Sequence, residues 1–102
     1  MAQMVGGIGE SKDATPEVQG YCEEMKQEVL KKSGKESFDI YEAVTYKTQL
    51  VAGTNYFVKI KIHPNGECIH ARIYQQLPHT GGALEVTSVQ TNKQEADAVE
   101  YF

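Results

Sequence analysis

Cys68, His63 and His70 are the residues best placed to do chemistry. If the chain doubles back at Asn65-Gly66, all three stand on one face of a two-stranded sheet, with Cys68 opposite His63. A thiolate and two imidazoles are zinc ligands, but a fourth ligand is missing and Lys61 beside them repels a cation. The same residues could serve as nucleophile and base, yet nothing orients the base and no oxyanion-binding motif accompanies it. Gly6-Gly7-Ile8-Gly9 follows no strand and fits neither nucleotide-binding pattern. The carboxylates are scattered through the chain, so paired acid–base catalysis has no support. These residues predict no enzyme, no metal and no cofactor.

Binding chemistry is better represented. Leu50-Val51-Ala52 places three successive apolar residues where two strand-like stretches must turn, followed by Gly53. Turns are normally polar because their side chains meet water. An apolar tip is therefore either folded inward as a plug or covered by a partner. A second such connection, Gln75-Gln76-Leu77-Pro78-His79-Thr80-Gly81-Gly82, joins the next pair of strands, and Pro78 stiffens it.

One helix and a sheet must position these tips. Thr15 reads as an N-cap and Pro16 as the first helical residue, with Glu17 adding a favourable charge. Val18, Cys22, Met25 and Val29 then recur at helical spacing, flanked by Tyr21, and Ser33-Gly34 supplies a stop. The pattern predicts one helix over about 16–32. Residues 1–14 read as a flexible leader and trunk rather than a packed element.

Beyond about residue 38 the chain reads as strand. A two-residue type I′ turn at Asn65-Gly66 pairs Ile62 with Ile69, Ile60 with Ala71 and Val58 with Ile73 on one apolar face. Lys59, Lys61, His63, Cys68, His70 and Arg72 then share a second face, which reads as solvent-like. A hairpin centred on Val51 sets Val44 near Val58 and Tyr46 near Tyr56. A strand over about 84–90 brings Val86 to the apolar face, and Tyr101-Phe102 docks back on the domain. The predicted fold is α+β: an amphipathic helix across an up-and-down antiparallel sheet of four strands, or five if the N-terminal segment adds one. In that order the connections at 49–53 and 76–83 lie at the same end.

The 102 residues predict a single domain. A net charge of -4 from fourteen acidic and ten basic residues, with no dense basic face, argues against nucleic acid. No apolar run is long enough to span a bilayer, and the first residues do not read as a secretory signal. Two cysteines, Cys22 and Cys68, fit reduced, buried thiols. The expected location is cytoplasmic, with no membrane partner.

Gln49-Leu50-Val51-Ala52-Gly53 matches the Gln-x-Val-x-Gly motif of the cystatins, and the whole stretch Glu42–Ile60 resembles the stefins, the type 1 cystatins. Ala14–Gln19, the Leu77-Pro78 loop and the terminal Phe102 extend the likeness over essentially the full chain. Leu50 stands where many stefins carry valine, and the leader before Gly6 is slightly longer than the shortest in that family.

The resemblance implies a cystatin-like fold and reversible, tight, non-catalytic inhibition of papain-like cysteine proteases, cathepsins among them. It implies a three-part wedge. Met4, Val5 and Gly6 form the leader, with Gly7 the alternative to Gly6. Gln49, Leu50, Val51, Ala52 and Gly53 form the central hairpin, and Leu77, Pro78 and His79 the second loop. On this reading Gly53→Glu harms inhibition far more than folding. A monomer is the expected active form, and exchange of strands through the central hairpin would give a domain-swapped dimer. The alternative is a protein-binding module that uses the same edge against a partner other than a protease.

Overall fold

The computed structural model describes residues 8–102. Met4, Val5, Gly6 and Gly7 lie outside that range. Five strands form one antiparallel sheet in sequential order: β1 (Lys12–Asp13), β2 (Glu42–Val51), β3 (Gly53–Lys61), β4 (Glu67–Gln75) and β5 (Leu84–Gln94). Two helical segments, α1 (Pro16–Glu24) and α2 (Lys26–Ser33), precede β2. The fifth strand comes from the segment expected to be a leader. Gly9 N–H donates to the Thr48 carbonyl at 2.8 Å, and Lys12 and Asp13 pair with Tyr46 and Thr45. Residues 9–14 are thus held along the edge of β2 rather than left loose.

The helix begins and ends as its sequence dictates. Thr15 Oγ1 accepts from the Val18 N–H at 3.1 Å, and Gly34 ends α2 in the left-handed region at φ 74°. The predicted continuous helix is interrupted at Met25 (φ -97°, ψ 10°). Tyr41 Oη donates to the Cys22 carbonyl at 2.7 Å, an acceptor that a straight helix gives to the amide of residue 26. A side chain inserted into the helical ladder is a recognised cause of a kink. Gln19 clips the helix to the start of β2, with its Oε1 accepting from Ala43 N–H at 2.7 Å and its Nε2 donating to the Tyr41 carbonyl.

Val18, Cys22 and Val29 pack on Val58, Ile60, Ile62, Ile69, Ala71, Ile73 and Val86, all buried, so the predicted apolar face is the core. The partners within it differ from expectation. Ile60 faces Ile69, Val58 faces Ala71 and Tyr56 faces Ile73, two residues away from the predicted register. The cause is Pro64. It has no N–H with which to close a two-residue turn against the Glu67 carbonyl, and its φ near -65° suits the second position of a type I turn. Gly66 N–H donates to the His63 carbonyl at 3.0 Å and Ile62 N–H to the Glu67 carbonyl at 2.9 Å, giving a four-residue loop with Gly66 at φ 99°. Cys68 consequently faces Lys61, not His63.

The β2–β3 hairpin also turns one residue later than predicted. Val51 pairs with Gly53 across Ala52, so Tyr46 faces Val58 and Thr48 faces Tyr56. The ladder is irregular between Ala43 and Thr45, leaving Val44 as the extra residue of a bulge. Tyr46 and Tyr56 remain diagonal neighbours, with ring centroids 6.3 Å apart.

The second face of the sheet is not solvent-like. Phe57, Cys68 and His70 are fully buried there, and Lys59 is 5% exposed. The chain after β5 returns across this face. Lys59 Nζ donates to the carbonyls of Glu95 and Asp97, and Arg72 Nη1 to the carbonyl of Phe102. Tyr101 and Phe102 sit on Phe57 at 5.6 and 5.7 Å between ring centroids, and Val99 is buried beside them. The docking of Tyr101-Phe102 is as expected; the burial of Lys59 and the partial cover of Arg72 beneath the strap are the correction. Long cationic side chains bury their stems readily when the charged head finds carbonyl acceptors.

Candidate functional site

The connections β2–β3 and β4–β5 lie at one end of the sheet, and the His63–Gly66 loop at the other. At the shared end the side chains of the first connection divide sharply. Leu50 is 83% exposed and Val51 45%, and Ala52 is also exposed, whereas Gln49 and Gly53 are buried. The apolar tip is therefore not a plug.

Gln49 faces inward because it belongs to a polar row across the second face. It pairs with Asn55, which pairs in turn with Tyr74. Asn55 Nδ2 donates to Gln49 Oε1 at 2.8 Å, one buried amide-to-amide bond under the tip. Gly53 holds φ 120°, a conformation that side chains disfavour. A Cβ there would lie 2.8 Å from Tyr74 Oη and 2.9 Å from Tyr74 Cε1, and closer still to the Gln75 carbonyl. Tyr74 Oη donates to the Ala52 carbonyl, tying the tip of one hairpin to the strand that leads into the next. Glycine at 53 is thus a requirement of the fold. This geometry weighs against the expectation that Gly53→Glu harms inhibition far more than folding, because any side chain at 53 meets Tyr74 and the Gln75 carbonyl.

The second loop is a compact knot. Pro78–Thr80 form one turn of 3₁₀ helix. The Leu77 carbonyl accepts from the N–H groups of Thr80 and Gly82 and from Thr80 Oγ1, at 3.0, 3.2 and 2.7 Å. Gly81 and Gly82 take positive φ, and Gln76 N–H closes the base on the Ala83 carbonyl at 2.9 Å. Pro78 and His79 are exposed and Leu77 is half-buried. A loop held by this many internal bonds loses little entropy on binding.

Structure therefore brings together Leu50, Val51, Ala52, Pro78 and His79 at one exposed edge, with Leu77 partly covered. Gln49 and Gly53 support that edge from within. The leader candidates Met4, Val5 and Gly6 fall outside the described residues. Among the described residues, Gly9 lies beside Thr48 toward the tip end of β2. Tyr74 and Asn55 are functional supports that the sequence reading missed. Correct pairing of Asn55 with Gln49 and Tyr74 would have found them, and that needed the true register of both hairpins.

The reactive side chains are dispersed. His63 Nε2 pairs with Asp39 at 3.0 Å at the far end of the sheet, and Cys68 Sγ lies 3.4 Å from the Gly66 carbonyl. His70 is wholly enclosed, and neither ring nitrogen has a hydrogen-bond partner. Burial, reinforced by Lys59 and Lys93, holds its pKa down to about 4. Burial pushes the Cys68 thiol up, and burial with Glu23 pushes Cys22 up to about 12. Neither thiol is poised to be a nucleophile. Among the described residues no three His, Cys, Asp or Glu side chains are gathered as metal ligands.

What the edge can do is bind. It is exposed and mostly apolar, and is braced from behind by hydrogen bonds. Comparison with known proteins gives the same architecture a family setting. A model of the cystatin domain matches residues 6–96. The chain is 43% identical to a cystatin-B of Oplegnathus fasciatus over 103 residues, covering all of both chains. It is 41% identical to a cystatin-B of Paralichthys olivaceus, over 97% of this chain and 99% of the relative. It is also 35% identical to stefin-C of Bos taurus, over 96% and 95% of the two.

Proposed function

The chain belongs to the cystatin family, of the stefin type, and on that premise we propose that its braced apolar edge is the surface that enters the protease cleft. The protein is a reversible, non-catalytic inhibitor of papain-like cysteine proteases, the cathepsin group among them. The observation that carries the assignment of the edge is the exposure of Leu50 beside a buried, hydrogen-bonded Gln49. Leu50, Val51 and Ala52 form a continuous exposed apolar tip, and covering it against a partner is favourable.

In this reading Leu50, Val51 and Ala52 meet the enzyme at the centre of the cleft, with Pro78 and His79 alongside and Leu77 filling the space between. Gln49 and Gly53 act through the shape they give the tip. Met4, Val5 and Gly6 complete the wedge on the strength of the sequence resemblance. Full burial of a leucine side chain contributes about 1.5 to 3 kcal/mol, so a tip of this size supplies useful affinity without new polar contacts. The stiff second loop and the Tyr74 tether lower the entropy cost of docking. The 102 residues work as one domain, in the cytoplasm, and as a monomer; strand exchange through the β2–β3 hairpin would consume the tip and hide it.

Equilibrium inhibition of papain by the purified monomer, with mass spectrometry of the recovered chain, tests this. Stoichiometric inhibition with the chain intact is expected. A folded monomer with an intact N-terminus that leaves papain fully active would overturn the assignment and move the edge to another class of partner.

A further inference from the structure

We propose that Tyr74 is the positioning residue of the wedge, and that its hydroxyl protects the Ala52–Gly53 peptide bond from the enzyme being blocked. The inference rests on the reading of the β2–β3 tip as the part that enters the cleft.

Three observations meet at this residue. Tyr74 Oη donates to the Ala52 carbonyl. The same ring lies against Gly53, at a distance that leaves no room for a side chain there. Tyr74 is also followed by Gln75 and Gln76, and Gln76 N–H closes the second loop. One side chain therefore fixes the tip of the first hairpin relative to the base of the second loop.

The protective role follows from what cleavage requires. The enzyme's thiolate sulfur must add to the Ala52 carbonyl carbon, placing the carbonyl oxygen among donors that stabilise its developing charge. The C–N bond to Gly53 then breaks, and the freed Gly53 amine takes a proton from the enzyme's imidazolium. Water afterwards releases Ala52 from the thioester. Each stage needs the Ala52 oxygen to point at the enzyme. In this protein the oxygen points back at its own sheet and is engaged by a donor rooted on β4. To react, the peptide must break that bond and rotate, while β2 and β3 hold both flanks in the ladder. Near-attack geometry is therefore denied at this exposed tip.

Tyr74→Phe keeps the ring over Gly53 and removes only the hydroxyl. Because the bond is at the surface, its loss should leave the melting temperature within about 5 °C of the parent protein. Two readouts move if the proposal holds. Dissociation from papain becomes roughly 10-fold faster, and prolonged incubation with active papain yields fragments ending at Ala52 and beginning at Gly53. A folded Tyr74→Phe protein that dissociates at the parent rate and stays intact would overturn the role given to Tyr74. Failure of the parent protein itself to inhibit papain would instead overturn the functional reading on which the proposal rests.

Discussion

Gln49 and Asn55 face each other across β2 and β3, and the 2.8 Å bond between their side chains is buried immediately behind the exposed Leu50. A residue that a motif marks as part of a contact surface is here turned away from solvent. Its side chain is bonded beneath the tip instead.

Asn55→Ala should therefore destabilise the protein, because it strands a buried amide oxygen. The expected loss is about 1 to 3 kcal/mol in chemical denaturation. Gln49→Ala added to that variant should cost far less than it does alone, since the two side chains act as a unit. Additive losses would show that the pair is not coupled.

Gly53→Ala should lower stability by about 2 to 3 kcal/mol and weaken inhibition with it. The added Cβ meets Tyr74 and the Gln75 carbonyl at a backbone angle that already disfavours it. Circular dichroism on denaturant titration, paired with a papain inhibition constant, checks this. An unchanged fold with lost inhibition would restore Gly53 to a pure contact role.

Leu50→Ala separates binding from folding in the opposite sense. At 83% exposure the side chain contributes little to the folded state, so stability should stay within about 0.5 kcal/mol. Inhibition should weaken roughly 10- to 100-fold, the equivalent of losing about 1.5 to 3 kcal/mol of apolar burial. An unaltered inhibition constant would remove Leu50 from the interface.

Acid should loosen the protein through His70. Its folded pKa is lowered to about 4 by burial and by Lys59 and Lys93, with Asp97 opposing them, while the unfolded value is near 6.5. The unfolded chain therefore binds the proton first. Stability attributable to His70 is complete above about pH 6.5 and is lost as pH falls toward 4, the loss reaching about 2 kcal/mol by pH 5. Unfolding titrations from pH 7 to 4 should show that slope, and His70→Gln should flatten it. An equal slope in both proteins would assign the acid sensitivity elsewhere.

Faces were more legible than neighbours. Both hairpin registers in the sequence reading differ from the structure by two residues, yet Ile60, Ile69, Ala71 and Ile73 fall in the core as expected. Side chains alternate with a period of two, so a slip of two leaves every residue on its own face. What displaced the first register is the ring of Pro64, and what displaced the second is the turn about Ala52. The burial of Lys59 and His70, and the partial cover of Arg72, were hidden for another reason. Their cover arrives from residues 95–102, which look polar until Val99, Tyr101 and Phe102 are seen to lie on the sheet. The edge itself was readable because apolar residues at a turn are a local signal. Its bracing by Asn55 and Tyr74 was not, because that depends on which strands meet.

The four-residue loop His63–Gly66 sits at the end of β4 away from the tip, a nine-residue strand and so about 30 Å distant. Asn65 is exposed there, and the chain's own thiols, Cys22 and Cys68, are both buried. A thiol-directed dye or surface tether placed on Asn65→Cys would meet no competing cysteine at the surface. It would also leave the molecule standing with its working edge outward, a ready orientation for a probe or an immobilised capture reagent.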